Sequence, residues 1–420
     1  MALVGRYSSV TELLDLLSYD ERAVLRYLVR RKEGSRSEIA RALNYSKTKS
    51  NNLVAALLAC GLLAEGDANV STQGRSASAV GLRADLACVL GIDLGATSVT
   101  LGLADSHRRL LGSRSSALDV RAGPTPCLSQ ITGMIYALLD ETGVSPGEVA
   151  AIGMGVPGPV EFRTGLLIAP PIMPGWEGYS IRDHLGEEFG AAVFIDNDVN
   201  VMALGEAWNH SEGFTDAIFV KVGTGIGAGI LCRGLIYRGA DGSAGDIGHI
   251  CADPQGPVCP CGNVGCLEML AAGPAISKQA QAAAAGGHSD LLAAVLARAG
   301  HLTPQDVGKA SREGDAAANA IIKGSGERIG QTLAALINFF NPERVIIGGG
   351  ITKVGYLLLA SIRHAIYQRS LPLSTRHLVI EYSQLGDVAG LIGAVALAWQ
   401  ELLKAPASTP RPAVTPVGGV

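Results

Sequence analysis

The 420-residue chain is 48% hydrophobic with a formal net charge of −4, so it has core enough for two or three domains. Its longest apolar stretch, residues 53–64, is too short to cross a bilayer. The opening MALVGRYSSV also lacks the layout of a signal peptide, so the expected setting is cytoplasmic, with no membrane partner.

Charge is unevenly distributed. Residues 1–83 hold 12 Lys/Arg and 8 Asp/Glu, net +4, and the remainder nets −8. A basic front end on an acidic body assigns phosphate contact to the front end. Apolar spacing predicts a helix over 20–32, with Val24, Tyr27 and Leu28 on one face. Ser35 and Glu38 suit a capping box for a short helix over 36–43. Asn44-Tyr45 is a turn, and Ser46 caps a third helix that runs to Cys60 and stops at Gly61. Residues 62–82 read as two short strands around a polar turn at 66–75. This is the order of a winged helix-turn-helix, expected to occupy residues 1–83 and to bind operator DNA. The front of the third helix is polar without a break through Ser46, Lys47, Thr48, Lys49, Ser50, Asn51 and Asn52. Such groups suit base edges and phosphates, and Arg75 in the wing suits a phosphate or the minor groove.

Residues 84–404 alternate β-rich and helical runs, an α/β pattern. Strands are predicted at 87–93, 99–104, 149–154, 192–196, 217–222, 229–232, 344–347 and 378–381. Helices are predicted at 133–142, 199–208, 315–340, 355–368 and 391–403, with residues 270–320 Ala-rich and all helical. The Pro- and Thr-rich stretch 405–420 is expected to be a disordered tail.

Three strands run into glycines: Asp93, Gly95 and Thr97; Gly223, Thr224, Gly225 and Gly227; and Gly348, Gly349 and Gly350. Backbone N–H groups in such turns converge on phosphate, and Asp93 can order Mg²⁺ beside it, which together point to a nucleotide cleft. Between them, residues 195–200 place Asp196, Asn197 and Asp198 at the end of a strand and the start of a helix. A carboxylate there can take a proton from a sugar hydroxyl and Asn197 can bind a neighbouring one, although the same residues suit plain helix caps. His249 with Cys259, Cys261 and Cys266 offers one imidazole and three thiolates, the set for structural Zn²⁺; Cys251 is a weaker competitor. Cys60, Cys88, Cys127 and Cys232 are isolated and read as core.

At these residues the chain resembles the ROK family of repressors, unassigned reading frames and sugar kinases. The matching pieces are DLGAT at 93–97, GVPGP at 155–159, NDVN at 197–200, GTGIGAG at 223–229, AGDIGH at 244–249 and CPCGNVGCLE at 259–268. The resemblance implies an actin-like (hexokinase/ribonuclease H-like) two-lobed ATPase fold after the winged helix. It implies that Asn197 and Asp198 bind sugar hydroxyls, with Asp198 the base if the protein is a kinase. By the same resemblance His249 ligates zinc and helps position sugar, and Glu268 accepts hydroxyls. Asp246 stands where the family usually carries a Glu, Ala96 replaces a frequent Gly, and a frequent Asn before Pro174-Gly175-Trp176 is missing. The winged helix, with GRSASAVGL at 74–82, matches the regulator branch. The expected function is a sugar-responsive repressor of carbohydrate genes, a homodimer or homotetramer whose effector is a sugar or sugar phosphate. The alternative is an ATP-dependent hexose or amino-sugar kinase with an accessory DNA-binding arm.

Overall fold

The computed structural model describes residues 10–66, 79–210 and 213–404. The predicted wing turn with Arg75, and the predicted tail at 405–420, lie outside the described residues.

The chain opens with α1 (Val10–Asp15), α2 (Tyr19–Arg31), β1 (Glu33–Ser35), α3 (Arg36–Ala42), α4 (Lys47–Ala59), β2 (Leu63–Glu65) and β3 (Ala79–Leu82). Ser18 with Glu21 and Ser35 with Glu38 form reciprocal capping boxes that fix the starts of α2 and α3. Leu25, Leu28, Ile39, Val54 and Leu57 are fully buried and make the core of the trihelical unit. The three strands form an antiparallel sheet in the order β1-β3-β2. β1 was not expected from the sequence: at three residues it is too short to show a period of two.

The body contains two sheets of the same design. The first lobe contributes β4 (Cys88–Leu94), β5 (Ser98–Ala104), β6 (Leu110–Ala117), α5 (Pro124–Thr142), β7 (Val149–Val156), β8 (Val160–Glu161), β9 (Leu166–Leu167), α6 (Ile181–Phe189) and β10 (Ala192–Asn197). Its main sheet runs β10-β7-β4-β5-β6, with β10, β7 and β4 parallel and β4-β5-β6 an antiparallel meander. After α7 (Asp198–Asn209) come β11 (Ala217–Val222), β12 (Ile226–Cys232) and β13 (Leu235–Tyr237). Helices α8 (Leu267–Ala271), α9 (Gly273–Ala285), α10 (Asp290–Ala299), α11 (Pro304–Arg312) and α12 (Ala316–Phe340) follow, then β14 (Arg344–Gly348), α13 (Tyr356–Arg369), α14 (Pro372–Thr375), β15 (Val379–Tyr382) and α15 (Ala389–Leu402). The second sheet runs β13-β12-β11-β14-β15 with the same pattern of parallel and antiparallel pairs. The two halves therefore repeat one unit, a three-stranded meander extended by two parallel strands.

Helices α7 and α15 cross between the halves. α7 follows the first sheet but packs on β12, and a Cβ on Gly229 would lie 2.6 Å from the Val199 carbonyl. α15 follows the second sheet but packs on β4 and β7; a Cβ on Gly153 would lie 2.1 Å from the Ala394 carbonyl. The two helices meet through glycine: a Cβ on Gly393 would lie 1.8 Å from the Val201 carbonyl. Backbone-to-backbone approach this close leaves no room for a side chain.

α2 joins this central layer. Arg22, buried on α2, donates to the Lys404 carbonyl (2.6 Å) just past the C-terminus of α15. Arg108, in the β5–β6 turn, donates to Trp208 O at the end of α7 (2.9 Å) and to Arg30 O at the end of α2 (3.1 Å). One continuous apolar cluster holds Leu25 and Val29 of α2, Val201 and Ala207 of α7, and Val395 and Trp399 of α15.

Candidate functional site

α4 carries the DNA-facing candidates. Ser46 is its N-cap, with Oγ accepting from Lys49 N (3.1 Å). Lys47, Thr48, Asn51 and Asn52 are exposed. Two of the sequence candidates are not free. Ser50 is fully buried and its hydroxyl donates to Arg36 O (2.8 Å), tying α4 to α3. Lys49 pairs with Asp20 at 2.7 Å, and its ammonium lies 4.1 Å from the Tyr45 ring centroid. Position 50 returns to the core at helical spacing from Val54 and Leu57, which a run of polar letters conceals.

The second candidate is the cleft between the lobes. The first two glycine segments are hairpin turns, Gly95–Thr97 between β4 and β5 and Gly223–Gly225 between β11 and β12. Asp93 and Lys221 occupy matching places, each two residues before the first glycine of its turn. Lys221 Nζ donates to Asp198 Oδ2. Burial, then the nearby charge of Asp198, push the Asp93 carboxyl up to about 6, with Lys221 opposing. Lys221 itself is raised: the attraction of Asp198, its hydrogen bond and Asp93 together outweigh burial, the largest single effect. Asp93, Asp198 and Lys221 thus form one charged group at the cleft floor. Sequence reading passed over Lys221 because it sits inside an apolar strand, two places before the glycines that drew notice.

The third glycine segment meets the second: Gly348 pairs with Lys221 across β11 and β14, and a Cβ on Gly349 would lie 2.6 Å from Val222 O. Gly350 opens a short 3-10 turn, Gly350–Val354. Gly227 is different. It lies within β12, not in a turn, and a Cβ there would meet Val199 of α7 at 3.2 Å. Its smallness serves helix packing.

Asn197 caps α7, with Oδ1 accepting from Val199 N (3.0 Å) and Nδ2 donating to Gly158 O (3.0 Å). Both halves of its amide are thus engaged, and the helix-cap alternative holds for its oxygen. Glu268 Oε2 accepts from Ile226 N (2.9 Å) and lies against Gly225, bracing the second hairpin turn. Asp246 and His249 are exposed at the ends of a 3-10 turn beside β12. A Cβ on Gly248 would lie 2.2 Å from Ile226 O, so the segments carrying Asp198, Ile226, His249 and Glu268 are contiguous. Asp196 is held across the lobes by Arg238, at 2.6 and 2.9 Å, and Arg238 also lies 3.6 Å from the Phe162 ring centroid.

The third feature is a metal-ligand cluster. The donor atoms of His249, Cys259, Cys261 and Cys266 all lie within 4.8 Å of one another, and Cys251 is outside the group. Cys261 and Cys266 sulfurs are 3.6 Å apart, and Cys259 Sγ is 3.7 Å from His249 Nδ1. A tetrahedral ion with Zn–S bonds of about 2.3 Å sets sulfurs about 3.8 Å apart, so the residues fit such an ion. Gly265 makes the loop possible: its φ is +68° and any Cβ would lie 1.6 Å from Asp253 O. Among the described residues, Cys60, Cys88, Cys127 and Cys232 lie outside this cluster.

The ROK family model matches residues 89–401, which includes both lobes, the cleft and the cysteine loop. The chain belongs to the ROK family. A xylose repressor from Caldicellulosiruptor bescii is 30% identical over 91% of this chain and 96% of its own length. The crystal structure of a ROK family transcriptional regulator, described as a homologue of the E. coli MLC protein, superposes with a TM-score of 0.77 at 25% identity, covering 92% of this chain and 98% of that one. A ROK family glucokinase from Streptomyces griseus, solved with glucose and AMPPNP, superposes at TM-score 0.63 and 29% identity, covering 74% of this chain and 99% of that one. The regulators match the winged helix and the ROK domain together; the kinase matches a share of the chain about the size of the ROK domain. The fold is thus the actin-like two-lobed ATPase fold preceded by a DNA-binding region.

Proposed function

We propose that this ROK protein is a sugar-responsive DNA-binding repressor of carbohydrate metabolism genes. The observation that carries the reading is a winged helix with an exposed Lys47/Thr48/Asn51/Asn52 face, built into the same core as a ROK domain. On this reading residues 1–83 bind operator DNA, with Arg75 adding a wing contact, and residues 84–404 bind the effector. Asn197, Asp198, Asp246, His249 and Glu268 line the sugar side of the cleft. ATP–Mg²⁺ has its place at Asp93, Gly95, Thr97, Gly223, Thr224, Gly225 and Gly348–Gly350.

His249, Cys259, Cys261 and Cys266 would hold zinc, which supplies a structural crosslink with all four positions filled by protein. The ion ties the loop at 259–266 to His249 and so fixes one wall of the sugar site. The protein works in the cytoplasm, where these thiols stay reduced. It acts as a homodimer or homotetramer, so that two winged helices meet two half-sites.

The kinase alternative rests on Asp198 and the paired hairpins. Against it, Asp198 already accepts a hydrogen bond from the Lys221 ammonium, and neutralising the carboxylate by proton uptake would weaken that ion pair. The expected outcome is sugar binding with slow or absent turnover. Calorimetry with a panel of monosaccharides and their phosphates, with and without ATP–Mg²⁺, tests this. Sugar-dependent ATP consumption at ordinary hexokinase rates would overturn the repressor-first reading.

A further inference from the structure

Lys221 belongs to none of the motifs that mark the family in this chain, yet its ammonium pairs with Asp198 and lies near Asp93. Its side chain is 30% exposed, while that of Asp198 is only 6% exposed. The ammonium donates to Asp198 Oδ2, and Asp198 Oδ1 takes no hydrogen bond among the described residues. Asp93 adds a second carboxylate to the same floor.

Other charged groups on the neighbouring elements are committed elsewhere. Asp196 on β10 is held by Arg238, and Glu206 on α7 accepts from Ser383 Oγ and Leu385 N. Glu268 on α8 accepts from Ile226 N. Arg344 on β14 pairs with Glu381, and Lys353 pairs with Asp387. Among the described residues, Lys221 is thus the cation placed against both carboxylates, and it opposes the rise that burial and Asp198 impose on Asp93.

We propose that Lys221 is the positioning residue for sugar recognition: its ammonium fixes Asp198 Oδ2 and leaves Oδ1 turned over to a sugar hydroxyl. This rests on the reading that the cleft binds a sugar. The acceptor must be immobile before the sugar arrives, because an ordered, charged acceptor makes a stronger hydrogen bond at lower cost on binding. The ion pair supplies that order.

The test uses the full-length protein and three variants, Lys221→Met, Lys221→Arg and Lys221→Met with Asp198→Asn. First, thermal unfolding of the ligand-free proteins completes a double-mutant cycle with Asp198→Asn alone. The expected result is strong non-additivity, the double variant recovering stability lost in Lys221→Met. Additive effects would show that the pair carries no coupling and would overturn the proposal whatever the sugar result.

Second, calorimetry at pH 7.5 measures affinity for the monosaccharide that the wild type binds best. Lys221→Met should bind on the order of tenfold to a hundredfold more weakly, as expected for breaking a buried charge pair. Lys221→Arg should recover most of the affinity. Unchanged affinity, or a loss that Arg does not rescue, overturns the positioning role while the sugar reading stands. A wild type that binds no sugar in the panel overturns the sugar reading and this proposal with it.

Discussion

Asp93 offers a sharp test of the cleft electrostatics. Its carboxyl is pushed from 3.8 up to about 6, first by burial and then by the charge of Asp198. The folded state therefore holds the proton more tightly than the unfolded state. The contribution of Asp93 to stability is greatest below about pH 4, is lost as pH rises through about 6, and stays at the lower level above it. A shift of about two units at about 1.4 kcal/mol each sets the neutral-pH cost of ionised Asp93 at about 3 kcal/mol, as an upper figure. Asp93→Asn keeps the shape and removes the charge. The variant should be more stable than wild type by up to about 3 kcal/mol at pH 7.5, and the gap should close as pH approaches 4. Urea unfolding across pH 4–8, with intact fold checked by circular dichroism, reads the difference. A variant equal to or weaker than wild type at pH 7.5, or a gap that does not change with pH, would refute the argument. A positive result also explains why a destabilising carboxylate stands there, since bound Mg²⁺ would repay the cost.

Further outcomes follow from the other sites. Purified protein should carry about one zinc per chain by elemental analysis, and Cys259→Ser should lose the metal and weaken sugar binding together, because metal affinity is coupled to the folding of its loop. Lys47→Ala should weaken binding to all DNA sequences and lower the salt slope by about one, whereas Asn51→Ala should cost about 1–3 kcal/mol on one operator base, both read by fluorescence anisotropy. Gly393→Ala places a methyl 1.8 Å from Val201 O, and should lower stability by more than the 1–3 kcal/mol typical of overpacking, about 3 kcal/mol or more by thermal unfolding.

The readable parts of the sequence were those with a strong local signal. Ser35 and Glu38, three apart, marked the start of α3 because a capping box is a local structure. The cysteine loop was readable because metal chemistry constrains both residue type and spacing. Ends and edges were harder. β12 begins at Ile226, three residues earlier than expected, since its glycines resemble a turn until α7 is seen packed against them. β6 went unseen because its mostly polar sequence LLGSRSSA forms an exposed sheet edge, where no apolar alternation is required. Lys221 and Arg238 were invisible for another reason. Each acts through a partner on a different element, Asp198 and Asp196, and linear spacing carries no trace of such pairs.

The last prediction concerns how a cleft could govern a winged helix. α7 starts at Asp198 and α15 starts beside Asp93, whose carboxylate lies against Gly390. Both helices end at α2, through Arg108 and Arg22 respectively. With 12 and 14 residues, they span about 18 and 21 Å. Each helix has one end at the Asp93–Asp198 charged group and the other against α2, and the two cross in backbone contact at Gly393. A ligand that shifts the lobes therefore moves α2. Arg108→Ala removes the hydrogen-bonded link between the ends of α7 and α2, leaving their shared apolar cluster, the cleft residues and α4 untouched. Intrinsic operator affinity and intrinsic sugar affinity should each stay near wild type. The sugar-induced change in operator affinity, typically about 5–150-fold in coupled systems, should fall toward one. Because coupling is reciprocal, the effect of operator DNA on sugar affinity must shrink by the same factor. Anisotropy with and without sugar, and calorimetry with and without operator, measure the two sides independently. An Arg108→Ala protein with undiminished coupling would show that the signal does not need Arg108, leaving the apolar cluster shared by α2, α7 and α15 and the Arg22 contact to Lys404 as the remaining paths.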